Sequence, residues 1–267
     1  MSLTVSGLFR YPIKGCRGHA MDRLTLDRFG VEGDRRLMLV DERGRFVSQR
    51  ELAALATIEP VLEGGRLTVS RAGDTPLDVV LDPAGPARDV TVWSATITAH
   101  DQGDDAAEWF SDILGTPLRL VHWGSTSHRR IDPLWAPGAT VETTFNDGYP
   151  AIGVTEASLD DLNRRLAEPV PMARFRPTIV VRGAEAWNED AWGTLHVGNL
   201  TFDAVKPCAR CVVTTTDQRS GVRNRQQEPL RTLATFRTVP GLGAIFGQNL
   251  VHRGPGSLAV GDTVGLA

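Results

Sequence analysis

Alternating apolar and polar residues recur in short runs along most of this chain, and turn residues separate many of the runs. An alternation with a period of two is typical of β-strands that bury one face. The pattern predicts strands at residues 3–11, 24–26, 36–40, 46–48, 58–63, 66–70, 77–81, 90–99, 178–182, 195–197, 200–205 and 212–216, and a last strand at the C-terminus.

Two segments instead have apolar residues spaced three and four positions apart, as in amphipathic helices. The first spans residues 104–114, where two aspartates favour the helix N-terminus and Gly115 favours its end. The second spans residues 155–166, with Thr155 as the expected N-cap.

Many short strands and few helices predict a β-dominated, mixed α+β fold that contains a barrel or a curled sheet. The chain has 267 residues, enough for one large domain or two closely associated ones. Residues 124–138 are irregular and rich in Ser, Arg, His and Pro, which indicates a boundary somewhere within residues 116–140.

Charge, apolar segments and cysteine count exclude several classes of protein. The net charge of −3 does not indicate a nucleic-acid-binding protein. No segment is long and apolar enough to span a bilayer, and the N-terminus lacks the pattern of a signal peptide. Three cysteines, an odd number, do not make a disulfide framework. We therefore expect a cytoplasmic protein.

The pair in Cys208-Ala-Arg-Cys211 is the strongest chemical signal, because two thiols this close favour metal or redox chemistry. A structural zinc site commonly needs a second such pair, which the sequence lacks. A thioredoxin-like pair precedes a helix, whereas residues 212–216 are predicted here as a strand that begins beside Cys211. Two buried, inert cysteines remain an alternative. The only two lysines, Lys14 and Lys206, both lie near a cysteine.

Several other residues have both a functional and a structural interpretation. Arg35, within Gly-Asp-Arg-Arg, either binds a phosphate or forms an ion pair in a solvated turn. Arg174 and Arg176 point into a site or into water. Asp147 is a proton donor in a cleft or caps a turn. Cys16 is interpreted as a small apolar core residue. No dinucleotide-binding Gly-x-Gly-x-x-Gly pattern follows a predicted strand.

These motifs, in this order, resemble the MOSC family of molybdenum-cofactor proteins, and in particular its two-part members of the amidoxime-reducing type. Each motif is weak alone, but the ordered set covers almost the whole chain. The matching segments are residues 11–16, 33–40, 147–150, 155–163, 175–177, 208–215, 228–233, 246–248 and 260–262. The resemblance implies a β-rich N-terminal MOSC domain at residues 1–120 and a β-barrel MOSC domain at residues 121–267, which share one cofactor cleft.

The resemblance also implies residue roles. Cys211 matches the protein ligand to molybdenum, and a soft thiolate suits that metal. Asp147 matches a residue that faces the metal, and we predict that it handles protons. The residues that match cofactor contacts are Lys14, Gly15, Arg35, Asp147, Gly148, Arg176, Arg210 and Cys211. Gly15 and Gly148 replace hydroxyl residues of the eukaryotic relatives, so only backbone contacts are expected there.

The implied activity is the reduction of N-hydroxylated compounds, such as amidoximes and hydroxylamine derivatives, by oxygen-atom removal at the molybdenum cofactor. The expected electron source is a separate protein, a ferredoxin or a haem protein with its reductase, because no nicotinamide or flavin fingerprint appears. No nucleic-acid or membrane partner is expected. Two alternatives remain open: a cofactor carrier without turnover, and persulfide sulfur transfer through Cys211.

Overall fold

The structure, a computed structural model, describes residues 2–138 and 141–267 and is built mainly of β-strands. The α-helices in these ranges are α1 (Asp104–Leu114), α2 (Glu156–Asn163) and α3 (Leu230–Phe236). The strands are β1 (Leu3–Arg10), β2 (His19–Met21), β3 (Arg23–Asp27), β4 (Gly30–Val31), β5 (Leu37–Val40), β6 (Glu59–Glu63), β7 (Arg66–Ser70), β8 (Leu77–Val80), β9 (Ala87–Val92), β10 (Ala95–Asp101), β11 (Arg119–His122), β12 (Ala151–Thr155), β13 (Ile179–Arg182), β14 (Thr194–Val197), β15 (Leu200–Ala209), β16 (Thr238–Val239), β17 (Gly243–His252), β18 (Gly256–Ala259) and β19 (Thr263–Leu266).

Seven strands close into a barrel in the order β12, β13, β1, β19, β14, β15, β17, and β17 pairs back with β12. Only β12 and β13 run parallel; the other neighbours are antiparallel. Closure leaves no free sheet edge within the ring. The predicted β-dominated fold with a barrel is confirmed. Strand β1 comes from the start of the chain, so the barrel includes residues from both ends of the sequence.

Strand β2 pairs with β1 and β16 with β17, and the other strands form smaller sheets beside the barrel. One has the order β5, β11, β10, β9, another the order β6, β7, β8, and β3 pairs with β4 and β18. Helix α1 buries Ala106, Phe110 and Leu114 in a core formed with this region. The helix has the predicted bounds, and Gly115 ends it at a φ of 70° in the left-handed region that favours glycine. No helix within the described ranges is long and apolar enough to cross a membrane.

Helix α2 begins as predicted, because the Thr155 hydroxyl accepts a hydrogen bond from the backbone N–H of Ser158. The helix ends at Asn163, earlier than the predicted Leu166. Helix α3 and the long strand β17 were not predicted from the pattern. Glycine and polar residues within β17 hide its alternation, although eight of its ten residues are buried.

Three predicted strands were wrong, and each lies near the cleft described below. Residues 90–99 form two strands, because the chain reverses at Trp93-Ser94. Residues 46–48 make only an isolated bridge between Phe46 and Val40. Residues 212–216 are not a strand: Val212–Thr215 is a 3-10 helix, in which the Thr214 and Thr215 hydroxyls donate to the carbonyls of Cys211 and Val212. These local bonds override the strand preference of the β-branched residues.

Strand β15 also extends beyond the predicted 200–205, through Lys206-Pro207-Cys208 to Ala209. The register against β17 shifts between Ala204 and Lys206 and again between Pro207 and Ala209. Such bulges accommodate a proline, which cannot donate to the ladder. Cys208 therefore lies in a barrel strand, and Cys211 follows the end of that strand.

Two leucines on barrel strands, one buried and one exposed, test whether the buried face of the barrel stabilises the fold. Leu250 on β17 is 1% exposed, whereas Leu266 on β19 is 46% exposed. We expect Leu250→Ala to lower the free energy of unfolding by about 2–5 kcal/mol, because it removes buried apolar surface and leaves a cavity. The matched Leu266→Ala should change it by less than about 0.5 kcal/mol. Urea unfolding followed by circular dichroism measures both, and equal losses would contradict the barrel core described here.

Candidate functional site

A cleft of about 290 Å³ lies where one end of the barrel meets the smaller sheets. All eight residues that the resemblance assigns to the cofactor lie on its walls: Lys14, Gly15, Arg35, Asp147, Gly148, Arg176, Arg210 and Cys211. They come from five separate segments of the chain. Their individual roles stay predictions, but the structure brings the whole set together.

The segment after β1 carries two of these residues into the cleft. The Lys14 backbone N–H donates to the Leu37 carbonyl at 2.8 Å, and Gly15 turns the chain at a φ of 86°. Arg35 is tied to the same segment, since its backbone N–H donates to the Tyr11 carbonyl at 2.7 Å. The Asp34 carboxylate accepts from the Tyr11 N–H at 2.7 Å and from the Arg35 guanidinium at 2.5 Å.

Tyr11 organises two of the arginines. The Cζ atoms of Arg35 and Arg176 each lie 4.4 Å from the Tyr11 ring centroid. The ring is buried, its hydroxyl donates to the Pro177 carbonyl at 3.0 Å, and desolvation raises its pKa to about 12. A neutral tyrosine thus supports two guanidinium groups through cation–π contacts. Tyr11 lies in the matching segment 11–16, but nothing in the sequence indicated this role.

Arg35 and Arg176 also share an unusual backbone. Their φ angles are 47° and 49°, in the left-handed region that costs a non-glycine residue energy. Such strain persists where surrounding contacts over-determine the conformation, and it occurs often at ligand sites. Arg176 is held further by a bond from its guanidinium to the Cys16 carbonyl at 2.7 Å.

Two more arginines on the cleft walls differ in whether their guanidinium N–H groups have hydrogen-bond partners. Arg210 donates to the carbonyl of Phe246 through Nε and Nη2 and to that of Phe175 through Nη1, so it braces the backbone. Arg174 is only 12% exposed and bonds Asp217 at 3.1 Å through Nη2, but its Nε and Nη1 are buried with no partner among the described residues. Buried N–H donors left unpaired cost free energy, which an anion in the cleft would recover.

Lys14 and Asp147 form an ion pair at 2.5 Å, with side-chain exposures of 7% and 76%. Desolvation opposes ionisation of Asp147, but the charges of Lys14 and Arg35 and the Lys14 hydrogen bond outweigh it, so its pKa lies below the usual range. Burial acts more strongly on the enclosed ammonium and lowers the pKa of Lys14 despite the attraction of Asp147. Asp147 is therefore a carboxylate at neutral pH.

The three cysteines lie in different surroundings. Cys16 is fully buried, and desolvation raises the pKa of its thiol to about 12. Cys208 is 6% exposed, and burial likewise raises its pKa. Cys211 is half-buried on the cleft wall, at the N-cap of the 3-10 helix Val212–Thr215. The prediction of Cys16 as a core residue is consistent with its packing.

Several further residues of the cleft wall, among them Arg50 and Trp93, were given no role from the sequence. The Arg50 guanidinium lies 4.5 Å from the Trp93 ring centroid. No signal marked Trp93, because its segment was interpreted as one continuous strand. Among residues 2–138 and 141–267, no group of three or more His, Cys, Asp or Glu could hold a metal ion.

Two family models match the chain. The MOSC N-terminal beta barrel domain matches residues 2–117, and the MOSC domain matches residues 140–265. This chain belongs to the MOSC family. The functions of this family are in general related to the molybdenum cofactor. The predicted division at residue 120 stays a prediction, and β1 shows that the barrel draws strands from both sides of it.

Relatives of this MOSC protein match over nearly its whole length. It is 32% identical to mitochondrial amidoxime-reducing component 1 of Homo sapiens, over 98% of this chain and 82% of the relative. It is 34% identical to mitochondrial amidoxime reducing component 2 of Rattus norvegicus, with the same coverage. The crystal structure of the YUAD protein from Bacillus subtilis aligns over 99% of this chain at 10% identity, and its TM-score of 0.44 is too low to bear on function.

The cysteine surroundings predict selective alkylation. At pH 8, iodoacetamide should label Cys211 and leave Cys16 and Cys208 unlabelled, because buried neutral thiols are neither accessible nor nucleophilic. Peptide mass spectrometry identifies the labelled sites, and protein unfolded in urea, in which all three should react, is the control. Labelling of Cys16 in the folded protein would contradict the packing described here.

Proposed function

We propose that this MOSC protein is a molybdenum-cofactor-dependent reductase of N-hydroxylated compounds, such as amidoximes and hydroxylamine derivatives. The observation that carries the proposal is the composition of the cleft. Its described walls bear seven cationic side chains, one carboxylate and one half-buried thiol. The chain as a whole has a net charge of −3, so the positive charge of the cleft is opposite in sign to that of the whole chain.

The cleft residues fit an anionic, sulfur-rich cofactor. A phosphate-bearing pterin needs charge-assisted donors, and Arg174 has two buried guanidinium nitrogens, Nε and Nη1, without a partner in the described chain. Arg35 and Arg176 are held over the Tyr11 ring in strained conformations, so their guanidinium groups are preorganised. Cys211 would hold the metal, since a thiolate is the soft ligand that suits it.

When bound, the cofactor supplies the oxygen-atom removal and the two-electron reduction. The protein residues bind, orient and exclude water. Lys14 Nζ holds a proton that is hydrogen-bonded to Asp147 Oδ1, and Asp147 presents its carboxylate to the open cleft. We propose that this pair handles the protons that the reduction consumes, with Lys14 as the donor and Asp147 as the group that positions it.

We further propose that a separate electron-transfer protein, a ferredoxin or a haem protein with its reductase, supplies the electrons. The relatives are named components, a word that describes one part of a larger system. Partners of this kind commonly bind weakly, over interfaces below about 1,200 Å². The cytoplasmic location predicted from the sequence also stays a proposal.

The test of the function combines elemental analysis with turnover. Purified wild-type protein should contain molybdenum and should reduce benzamidoxime when dithionite supplies the electrons. Cys211→Ser should abolish turnover, because a serine oxygen is a harder and weaker ligand, whereas Cys208→Ser should keep much of it. Melting temperatures of both variants control for loss of folding.

The other outcomes separate the alternatives. Molybdenum content without turnover in the wild type would favour a cofactor carrier. Sulfane sulfur on Cys211 without reductase activity would favour sulfur transfer. Full activity in Cys211→Ser would refute the assignment of the metal ligand, and equal loss in both variants would favour a mechanism that uses the two thiols as a pair.

The arginine assignments predict a loss of cofactor rather than of fold. Arg35→Ala and Arg176→Ala should each lower cofactor affinity about ten- to a hundredfold, since one charge-assisted hydrogen bond contributes roughly 1.5–3 kcal/mol. The matched control is Arg164→Ala, an exposed arginine that directly follows α2 and lies outside the cleft. Molybdenum and pterin content measure occupancy. Unchanged content, or a large drop in the melting temperature of the cofactor-free variants, would favour a structural role instead.

A further inference from the structure

Trp93 stands out among the cleft residues because its ring is exposed. It is 40% exposed, and it is the one aromatic side chain among the large apolar residues exposed in the described part of the chain. It lies on the wall of the same cleft as Cys211 and Asp147. An exposed indole on a concave wall favours ligand binding over core packing.

The backbone at Trp93 is strained as well. Trp93 and Ser94 form the two-residue turn between β9 and β10, and Trp93 has a φ of 56°. Hairpins of this length favour glycine or asparagine where φ is positive. A bulky residue in that conformation costs stability, and burial of the ring offsets the cost only in part, because Trp93 stays 40% exposed. A strained residue with a partly exposed ring is typical of a functional site.

Neighbouring side chains fix the orientation of the ring. Phe46 meets it edge-to-face, with ring centroids 4.7 Å apart, and Arg50 lies over it at 4.5 Å. Phe46 in turn contacts the Lys14 ammonium, which is 5.2 Å from its centroid. The Arg50 charge also contributes to lowering the pKa of Asp147, so this cluster adjoins the Lys14–Asp147 pair. The Trp93 ring is therefore a preorganised surface beside the proposed reaction site.

We propose that Trp93, held by Phe46 and Arg50, is the platform on which the planar aryl group of an N-hydroxylated substrate stacks. This inference rests on the proposed reductase function and names a substrate class within it. Aryl groups pack well against indole rings and guanidinium planes. Arg50 and Lys14 stand beside the ring and would repel a cationic aryl compound, whereas an aryl amidoxime, which is uncharged at neutral pH, meets no such repulsion.

The test compares two substrates that differ in the aryl group, benzamidoxime and acetamidoxime, with dithionite as reductant. Trp93→Gly should raise the KM for benzamidoxime about tenfold more than the KM for acetamidoxime, because stacking is lost only for the first. Trp93→Phe should keep part of the preference. Glycine suits the positive φ, so Trp93→Gly is expected to fold, and its melting temperature checks this.

Ser94→Gly is the matched control, because it places a glycine in the same turn without removing the ring. It should leave the ratio of the two KM values unchanged. Equal KM changes for both substrates in Trp93→Gly, or the same change in Ser94→Gly, would overturn the proposal that Trp93 binds the aryl group.

If the wild type reduces neither substrate, the proposed function fails. Calorimetric binding of benzamidoxime to the cofactor-loaded protein then tests the role of Trp93 by itself. Weaker binding only in Trp93→Gly supports it, and equal binding in all variants overturns it.

Discussion

The pairing of β1 with β13 on one side and β19 on the other is the constraint on which the cleft depends. Leu8 aligns with Ile179, Val5 with Val181, and Thr4 with Thr263. Without β1, the barrel would have two open edges. Because β1 closes the ring, the segment that follows it leaves the barrel at a fixed point. That segment carries Tyr11, Lys14 and Gly15, so the closure that stabilises the fold also delivers residues to the cleft.

The cleft concentrates like charges, and the fold has to offset their repulsion and desolvation. Arg35 is paired with Asp34, Lys14 with Asp147, and Arg174 with Asp217. Arg176 and Arg210 have carbonyl partners instead, and the buried Tyr11 ring lies under two guanidinium groups. Carbonyl dipoles and an aromatic face satisfy cations without neutralising them. The cleft therefore keeps a positive field for an anionic ligand.

The same cleft accumulates local strain. Three of its residues, Arg35, Trp93 and Arg176, have positive φ angles that glycine would adopt more easily. Contacts with aromatic rings fix each of them: the two arginines lie over Tyr11, and Trp93 meets Phe46 edge-to-face and has Arg50 over its ring. Among the described residues, three of the five non-glycine positions with a positive φ thus lie in the cleft, as is typical of a ligand site.

The sequence by itself determined the fold class, the bounds of α1, the N-cap of α2 and, through an ordered set of motifs, the family. These features depend on local periodicity, capping and residue identity, which are properties of short stretches of sequence. It also named eight residues that the tertiary structure brings to one cleft.

The sequence did not reveal the turn at Trp93-Ser94, the 3-10 helix Val212–Thr215 or the extension of β15 through Pro207. Two of those features depend on long-range contacts, the packing of the Trp93 ring on Phe46 and the bulged pairing of β15 with β17. The third depends on local hydroxyl bonds of Thr214 and Thr215, which outweigh the strand preference of the segment. Only the tertiary structure decided that Tyr11 supports two arginines, because residues 11, 35 and 176 meet through barrel closure and not through any spacing in the sequence.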